Sequence, residues 1–289
     1  MAKPVPTTRK TVLKSTLSRK VIENIRKKCP VIANGNAKGG VGKTTTAAHE
    51  IWHGVDLKLK VLAIDFDKHL TDVFFETSTP ELPDYAVASD MFTSEGIQKP
   101  IYQVPGYENF YFLPADHNLK DVDGISFDQG VYEYPAQQIK TLREQFDLII
   151  IDSPPSEGNR QQATLLSSTT TVLVSELNKI SVNGVTDVLG ITDSLISAIN
   201  ESYGYERYEM PDCIIVPNKY DSRRKRDKEF YEMLKSFDLN LTPLLPYRAP
   251  ISAALSDAQP VWKYKDGNAR MAAKEMKLVL DHIFTEVSK

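Results

Sequence analysis

The residues of this 289-residue chain best suited to chemistry lie in one stretch, Ala37-Lys38-Gly39-Gly40-Val41-Gly42-Lys43-Thr44-Thr45-Thr46. Three glycines let the backbone fold tightly and turn its N–H groups inward, and a helix beginning there adds partial positive charge at its N-terminus. Gly39, Gly40, Val41, Gly42 and Thr45 then form a phosphate cradle, Lys43 reaches the β/γ-phosphates and the Thr44 hydroxyl ligates Mg²⁺. The strict G-x-x-x-x-G-K-[ST] pattern would need glycine at position 37, where this chain has Ala37; it carries instead a second lysine, Lys38.

Acids that could complete such a site fall where strands should end. Val61-Leu62-Ala63-Ile64-Asp65-Phe66-Asp67 places Asp65 at a strand terminus and Asp67 two residues on, and Leu148-Ile149-Ile150-Ile151-Asp152 ends an apolar run in Asp152. A single aspartate there serves a turn or a helix cap as readily as a metal. Three behind a glycine loop point to one phosphoryl-transfer site, with Thr44, Asp65 and Asp152 as candidate Mg²⁺ ligands. A third strand end, Ile214-Ile215-Val216-Pro217-Asn218-Lys219-Tyr220-Asp221, puts Asn218 where it could meet a purine edge and spells N-K-x-D, the pattern by which GTP-binding proteins read guanine. Beyond it, Arg223-Arg224-Lys225-Arg226 suits either a solvated helix start or contact with a phosphate backbone, and Arg248 and Lys263 are expected on the same surface.

Short apolar runs alternating with helical patterns predict how these residues are held: an α/β fold, doubly wound, with a mostly parallel sheet covered by helices on both faces. Strands are expected at Val31-Asn34, Val61-Ile64, Phe110-Leu113, Leu148-Ile151, Thr171-Val174, Ile214-Val216 and Leu244-Leu245. Helices are expected near 45–54, 133–145, 159–168, 181–199, 224–236, 250–257 and 268–285, with 75–108 read as loop and short helices. Ligands of such sheets bind beyond the carboxyl ends of the strands, where the candidate residues cluster.

The net charge of −3 hides an asymmetry, since residues 1–30 hold nine Lys/Arg against one Glu, a local +8 that leaves −11 on residues 31–289. A basic N-terminal arm over 1–30, with a helix expected from Ser18 to Lys28, therefore precedes a nucleotide-binding domain over 31–289, and the arm is either a solvated leader or a contact for nucleic acid. No apolar run reaches the roughly 18 residues of a membrane span and no secretory leader is evident, so a cytoplasmic address is expected. Cys29 and Cys213 are expected to be buried thiols and not a disulfide or metal set.

Lys38-Gly39-Gly40-Val41-Gly42-Lys43-Thr44-Thr45 resembles the deviant Walker A signature of the ParA/MinD group of P-loop ATPases. The succession Asp65-x-Asp67, Asp152-x-Pro154-Pro155 and Leu245-Pro246-Tyr247-Arg248 is similar to that of ParA-type DNA-partition ATPases, over most of residues 31–285. The resemblance implies ATP and Mg²⁺ as cofactors, with catalysis by Lys38, Lys43, Asp67 and Asp152. Lys38 would cross a nucleotide-sandwich homodimer to the partner's phosphates, with Gly40 close to the other subunit. Asp67 would orient the attacking water, Asp152 would be the Walker B acid, and Asn218, Pro246 and Tyr247 would hold adenine. It further implies a weak ATPase stimulated by DNA and by a ParB-like centromere-binding partner, a nucleoid-associated location, and nonspecific DNA as a ligand, for which the charge pattern offers Arg223, Arg224, Lys225, Arg226 and Arg248. The chain departs from the family pattern at Lys68-His69, where Pro-Gln is usual, and at Ala37, where Gln is commoner. Two alternatives remain: a MinD-like positioning ATPase that docks on membranes through its last helix, and a GTP-using accessory or metabolic protein. The sequence Met276 to Lys289 better fits a helix packed on its own domain, because it lacks a strongly basic polar face.

Overall fold

The computed structural model describes residues 16–75, 77, 80–155 and 157–289. The first half of the basic arm, with Lys3, Arg9, Lys10 and Lys14, lies outside them. The second half is a docked helix, α1 (Arg19–Lys28), whose first turn is capped by the Ser18 hydroxyl accepting from Val21 N–H. Its Ile25 is fully buried, and Thr16 N–H and hydroxyl both donate to Asp281 near the chain's end.

The chain then winds through β1 (Val31–Gly35), α2 (Lys43–Asp56), β2 (Val61–Asp65), α3 (His69–Phe74), β3 (Tyr102–Gln103), β4 (Phe110–Leu113), α4 (Glu133–Leu142) and β5 (Leu148–Asp152). It continues through α5 (Asn159–Ser167), β6 (Thr170–Glu176), α6 (Lys179–Tyr203), β7 (Asp212–Tyr220), α7 (Lys225–Lys235), β8 (Asn240–Leu241), β9 (Leu245–Pro246), α8 (Ala249–Ser256) and α9 (Gly267–Val287). The strand order is β3-β4-β2-β5-β1-β6-β7-β8, with β9 also on β7, and every pairing is parallel except β3 with β4.

All five residues of β1, β2 and β5 are buried, because helices cover both faces and leave no polar alternation to read. One face packs on α1, α2, α3, α8 and α9; the other packs on α4 to α7. Helix α9 buries Met276, Val279, Leu280, Ile283 and Phe284, so its apolar stripe belongs to the core, as its sequence suggested. Truncating one of these to Ala should cost about 2–5 kcal/mol. Among the described residues no helix is long and apolar enough to cross a membrane.

The expected strands are present, with two differences that matter. Strand β7 runs to Tyr220 instead of ending at Val216, because β9 pairs beside Asn218 and Tyr220 and prolongs it. That pairing shifts register between the two, and Lys219 takes a left-handed φ of 56° at the irregularity. The two-residue edge strands β3 and β8 escaped detection because they are too short to show a period.

Candidate active site

Parallel register brings the ends of β1, β2, β5, β6 and β7 to one edge of the sheet, and the predicted loop sits there between β1 and α2. Gly42 caps α2 with φ of 112°, a conformation that side chains disfavour. A Cβ on it would lie 2.4 Å from Asn218 Nδ2, so the close approach of β7 also requires glycine. Lys43, the first residue of α2, is buried and donates from Nζ to the carbonyls of Asn36 (3.1 Å) and Lys38 (3.2 Å). Burial lowers its pKa, against the opposing pull of Asp152 and Asp67. Backbone carbonyls of the loop thus occupy the ammonium as acceptors, in the role that a phosphate oxygen would take.

Asp152 and Thr44 meet as expected: the Thr44 hydroxyl donates to Asp152 Oδ2 at 2.7 Å. Asp152 is fully buried, and its Oδ1 finds no hydrogen-bond partner among the described residues. Burial, and then the neighbouring Asp65, push its pKa well above the carboxylate range. A buried carboxylate with one bare oxygen beside a hydroxyl, and with a second acid nearby, is a site that a hard divalent cation would relieve.

Asp65 is placed differently. Its Oδ1 accepts from Asp67 N–H (2.9 Å), and its Oδ2 accepts from both the N–H and the hydroxyl of Thr71 at 2.6 Å. Its pKa is pushed up to about 6 by burial in spite of these bonds. It fastens the turn between β2 and α3, which carries Asp67. The Asp67 carboxylate is aimed by His69, whose Nδ1 lies 2.6 Å from Oδ2.

Lys38 lies along the lip of the loop, half-buried, with Nζ 2.8 Å from Glu176 Oε2 at the end of β6. Asn36, buried beneath, accepts from Lys38 N–H at 2.8 Å and donates from Nδ2 to Val174 O and Ser181 O, stapling the loop to β6 and α6. Lys219 reaches the same place from β7, donating to Glu176 Oε1 (2.6 Å) and Gly40 O (2.7 Å). Burial alone would raise the Glu176 pKa, but hydrogen bonds from Lys219 and Lys38 outweigh it and hold the carboxyl below its usual value.

These contacts change the meaning of the N-K-x-D stretch. Asn218 Nδ2 donates to Val41 O at 2.7 Å and its Oδ1 accepts from Lys219 N–H, so its amide supports the loop from behind. Asp221 accepts a two-pronged bond from Arg223 (2.9 and 2.8 Å), with Arg224 Nε 3.7 Å away, and these arginines hold its carboxyl far below the usual range. Tyr247 is 63% exposed, and with Lys38, Glu176, Lys219, Asp221 and Arg223 it lines a cleft of about 1330 Å³. Pro246 lies in β9 beside Tyr220.

Arg223, Arg224, Lys225 and Arg226 are exposed at the start of α7 and line that cleft; Lys225 Nζ is 3.6 Å from Glu229. Arg248 does not line it: Arg248 makes a two-pronged bond to Glu275 on α9 (2.8 and 2.7 Å) and also donates to Met271 Sδ. Its charge is matched within the chain by Glu275.

A family model described as an AAA domain matches residues 29–204. The chain belongs to that family. It is 28% identical to protein IncC of Escherichia coli over 256 residues, covering 86% of this chain and 67% of that protein. The fold of this ATPase superposes on an ATP complex of McdA from Cyanothece with a TM-score of 0.72 at 16% identity, over 90% of this chain and 96% of the other. It likewise matches a plasmid partition protein from Borrelia burgdorferi with a TM-score of 0.62 at 19% identity, over 90% and 99%. The loop, strand order and relatives together make it a ParA/MinD-type P-loop ATPase.

Glu176, Asn36, Thr71 and Lys219 were not among the candidate residues. Glu176 was open to the strand-end rule that found Asp65 and Asp152, and Lys219 stood inside a quoted motif. Asn36 and Thr71 gave no signal, since amides and hydroxyls near loops are common and only the packing assigns them partners.

Proposed function

We propose that this ATPase is a DNA-partition motor that uses ATP and Mg²⁺ to form a homodimer able to hold DNA without sequence preference. A ParB-like centromere-binding partner would stimulate hydrolysis, and hydrolysis would release the DNA. The observation that carries the reading is the pairing of a phosphate loop with a second lysine, Lys38, whose part-exposed side chain lines an open cleft while Lys43 is buried. One lysine serves the chain's own nucleotide, and the other is positioned to serve a nucleotide held by a second copy.

In this reading Gly39, Gly40, Val41, Gly42, Thr44 and Thr45 cradle the phosphates. Thr44 and Asp152 would hold Mg²⁺, which would neutralise charge at the phosphates. Asp65 serves Asp67 more than the metal, since both its oxygens are bonded. Asp67, steadied by His69, orients the attacking water. The exposed Tyr247 ring supplies a stacking face for the base, with Asn218 and Pro246 fixing the wall behind it. Arg223, Arg224, Lys225 and Arg226 contact DNA phosphates in the cytoplasm, on the nucleoid. The occupation of Asp221 by arginines and of the Asn218 amide by the loop favours ATP over a guanine-reading site. The packing of α9 into the core favours DNA over a membrane as the surface on which the protein works.

Sedimentation without nucleotide, with ADP and with a slowly hydrolysed ATP analogue, each with and without nonspecific DNA, tests the proposal. The expected result is a dimer and DNA binding only with the analogue, weakening steeply with salt. No gain in DNA affinity from ATP and Mg²⁺ at low salt would overturn it.

A further inference from the structure

At the lip of the loop one carboxylate holds two lysines. Glu176 Oε2 accepts from Lys38 Nζ at 2.8 Å and from Asn178 Nδ2 at 3.0 Å, and Oε1 accepts from Lys219 Nζ at 2.6 Å. Asn178 is the N-cap of α6, so Glu176 is fixed at both ends of the β6–α6 junction. Lys219 adds a bond to Gly40 O, tying the same anchor to the loop two residues past Lys38. A lysine in this position is not extended toward solvent; it is folded back onto its own chain by an acid that offers what a phosphate oxygen would offer. The Lys38–Glu176 pair is about one-quarter exposed, with side-chain exposures of 29% for Lys38 and 21% for Glu176, so a ligand can reach it from the cleft.

We propose that Glu176 is a positioning residue that latches Lys38 in cis, and that its release is the step that makes pairing with a second copy depend on nucleotide. The inference rests on the reading of Lys38 as the lysine that crosses to the second copy. A ligand shifts such an equilibrium only by its differential affinity for the released state. The polyphosphate presented by the second copy supplies that difference by taking Lys38 from Glu176. Lys219 holds the other oxygen of the same carboxylate, and by competing for its charge it weakens the pull on Lys38.

The competition predicts opposite signs for two substitutions. In Glu176→Gln the amide still accepts from Asn178 or Lys219 but no longer carries charge, so the concentration of ATP analogue giving half-maximal dimer in sedimentation should fall about fivefold. In Lys219→Gln the carboxylate keeps Lys38 as its one cationic partner among the described residues, beside the Asn178 amide, and that concentration should rise. A merely structural role for Glu176 would move both variants the same way and would lower thermal stability in each. The cis contact is read separately by the rate at which Lys38 in the nucleotide-free full-length protein is acetylated by an N-hydroxysuccinimide ester, followed by peptide mass spectrometry. That rate should rise several-fold in Glu176→Gln while the rate at the exposed Lys225 stays constant.

Unchanged Lys38 labelling in Glu176→Gln would overturn the latch whatever the protein's assembly. Faster labelling with a dimer that forms at the wild-type concentration would overturn the latch as a control on assembly. Faster labelling with no dimer in any variant at saturating analogue would overturn the reading of Lys38 as a crossing residue, and with it the latch's purpose, while leaving the ion pair itself established.

Discussion

Lys38 at the start of the phosphate loop and the arginine-rich start of α7 line the same cleft, and both regions bring cations to the carboxyl edge of the sheet. Their cations are held in different ways. Lys43 is buried on carbonyls of its own loop, and Lys38 and Lys219 share Glu176 across three strand ends, so both loop lysines are held by partners inside the fold. Arg223 is 88% exposed and pairs with Asp221 two residues away, a contact that solvent and salt weaken. The first arrangement is built for one ligand in one place. The second is a surface whose local counter-ion a polyanion can displace. Preorganisation separates the two more than charge does, since each side holds a comparable number of cations.

Substitutions should separate the two regions in graded fashion. Lys43→Ala removes the only buried cation of the loop among the described residues and should weaken ATP binding by more than about 100-fold in calorimetry, equivalent to roughly 3 kcal/mol. Binding within a few-fold of wild type would refute the assignment. Asp67→Ala should slow hydrolysis by about 10–100-fold while leaving the ATP affinity within about twofold, because the residue acts on the water and not on the bound ground state. His69→Ala should show a weaker version of the same split.

On the arginine side, replacing Arg223, Arg224 and Arg226 together by Ala should lower DNA affinity equally for all sequences. It should also reduce the slope of log K against log salt by about three. An unchanged slope would mean that Asp221, and not DNA, remains the partner of these cations. Arg248→Ala should leave DNA affinity alone and cost stability by about 1 kcal/mol, since its two-pronged bond is to Glu275.

Two turns below Lys43 on α2, Glu50 is fully buried against Asn34 Nδ2 (2.7 Å), and burial raises its pKa from 4.5 to about 7. The folded chain therefore binds a proton that the unfolded chain has lost, so its contribution is complete below about pH 4.5 and is lost as the pH rises toward 7. The neighbouring His49 works in the opposite direction: burial lowers its pKa to about 4, so stability declines as the pH falls below 6.5. Urea denaturation of Glu50→Gln against wild type should show a stability difference that shifts in the variant's favour by about 1 kcal/mol per pH unit between pH 5 and 7 and then levels off. A difference independent of pH would mean that Glu50 is ionised throughout.

The loop, the strand that enters it and the helix that leaves it were legible because about ten consecutive residues dictate their geometry. Gly42 must adopt a left-handed φ, and Lys43 must open a helix directly after it. Asp65 and Asp152 were found for a related reason, since an apolar run ending in an acid marks a buried parallel strand and its carboxyl end. What the residues would touch was not legible. Asp65 spends its oxygens on Thr71 and the N–H of Asp67, Asn218 turns toward the loop, and Arg248 is matched by Glu275.

The sequence by itself thus determined the class of sheet, the phosphate cradle and which edge carries the chemistry, because these follow from short-range backbone constraints and from apolar runs too continuous to be exposed. Only the tertiary structure decided the state of the charges. The acid that holds Lys38 stands 138 residues away, and electrostatic pairing depends on distance in space and on local burial, neither of which is written in residue order.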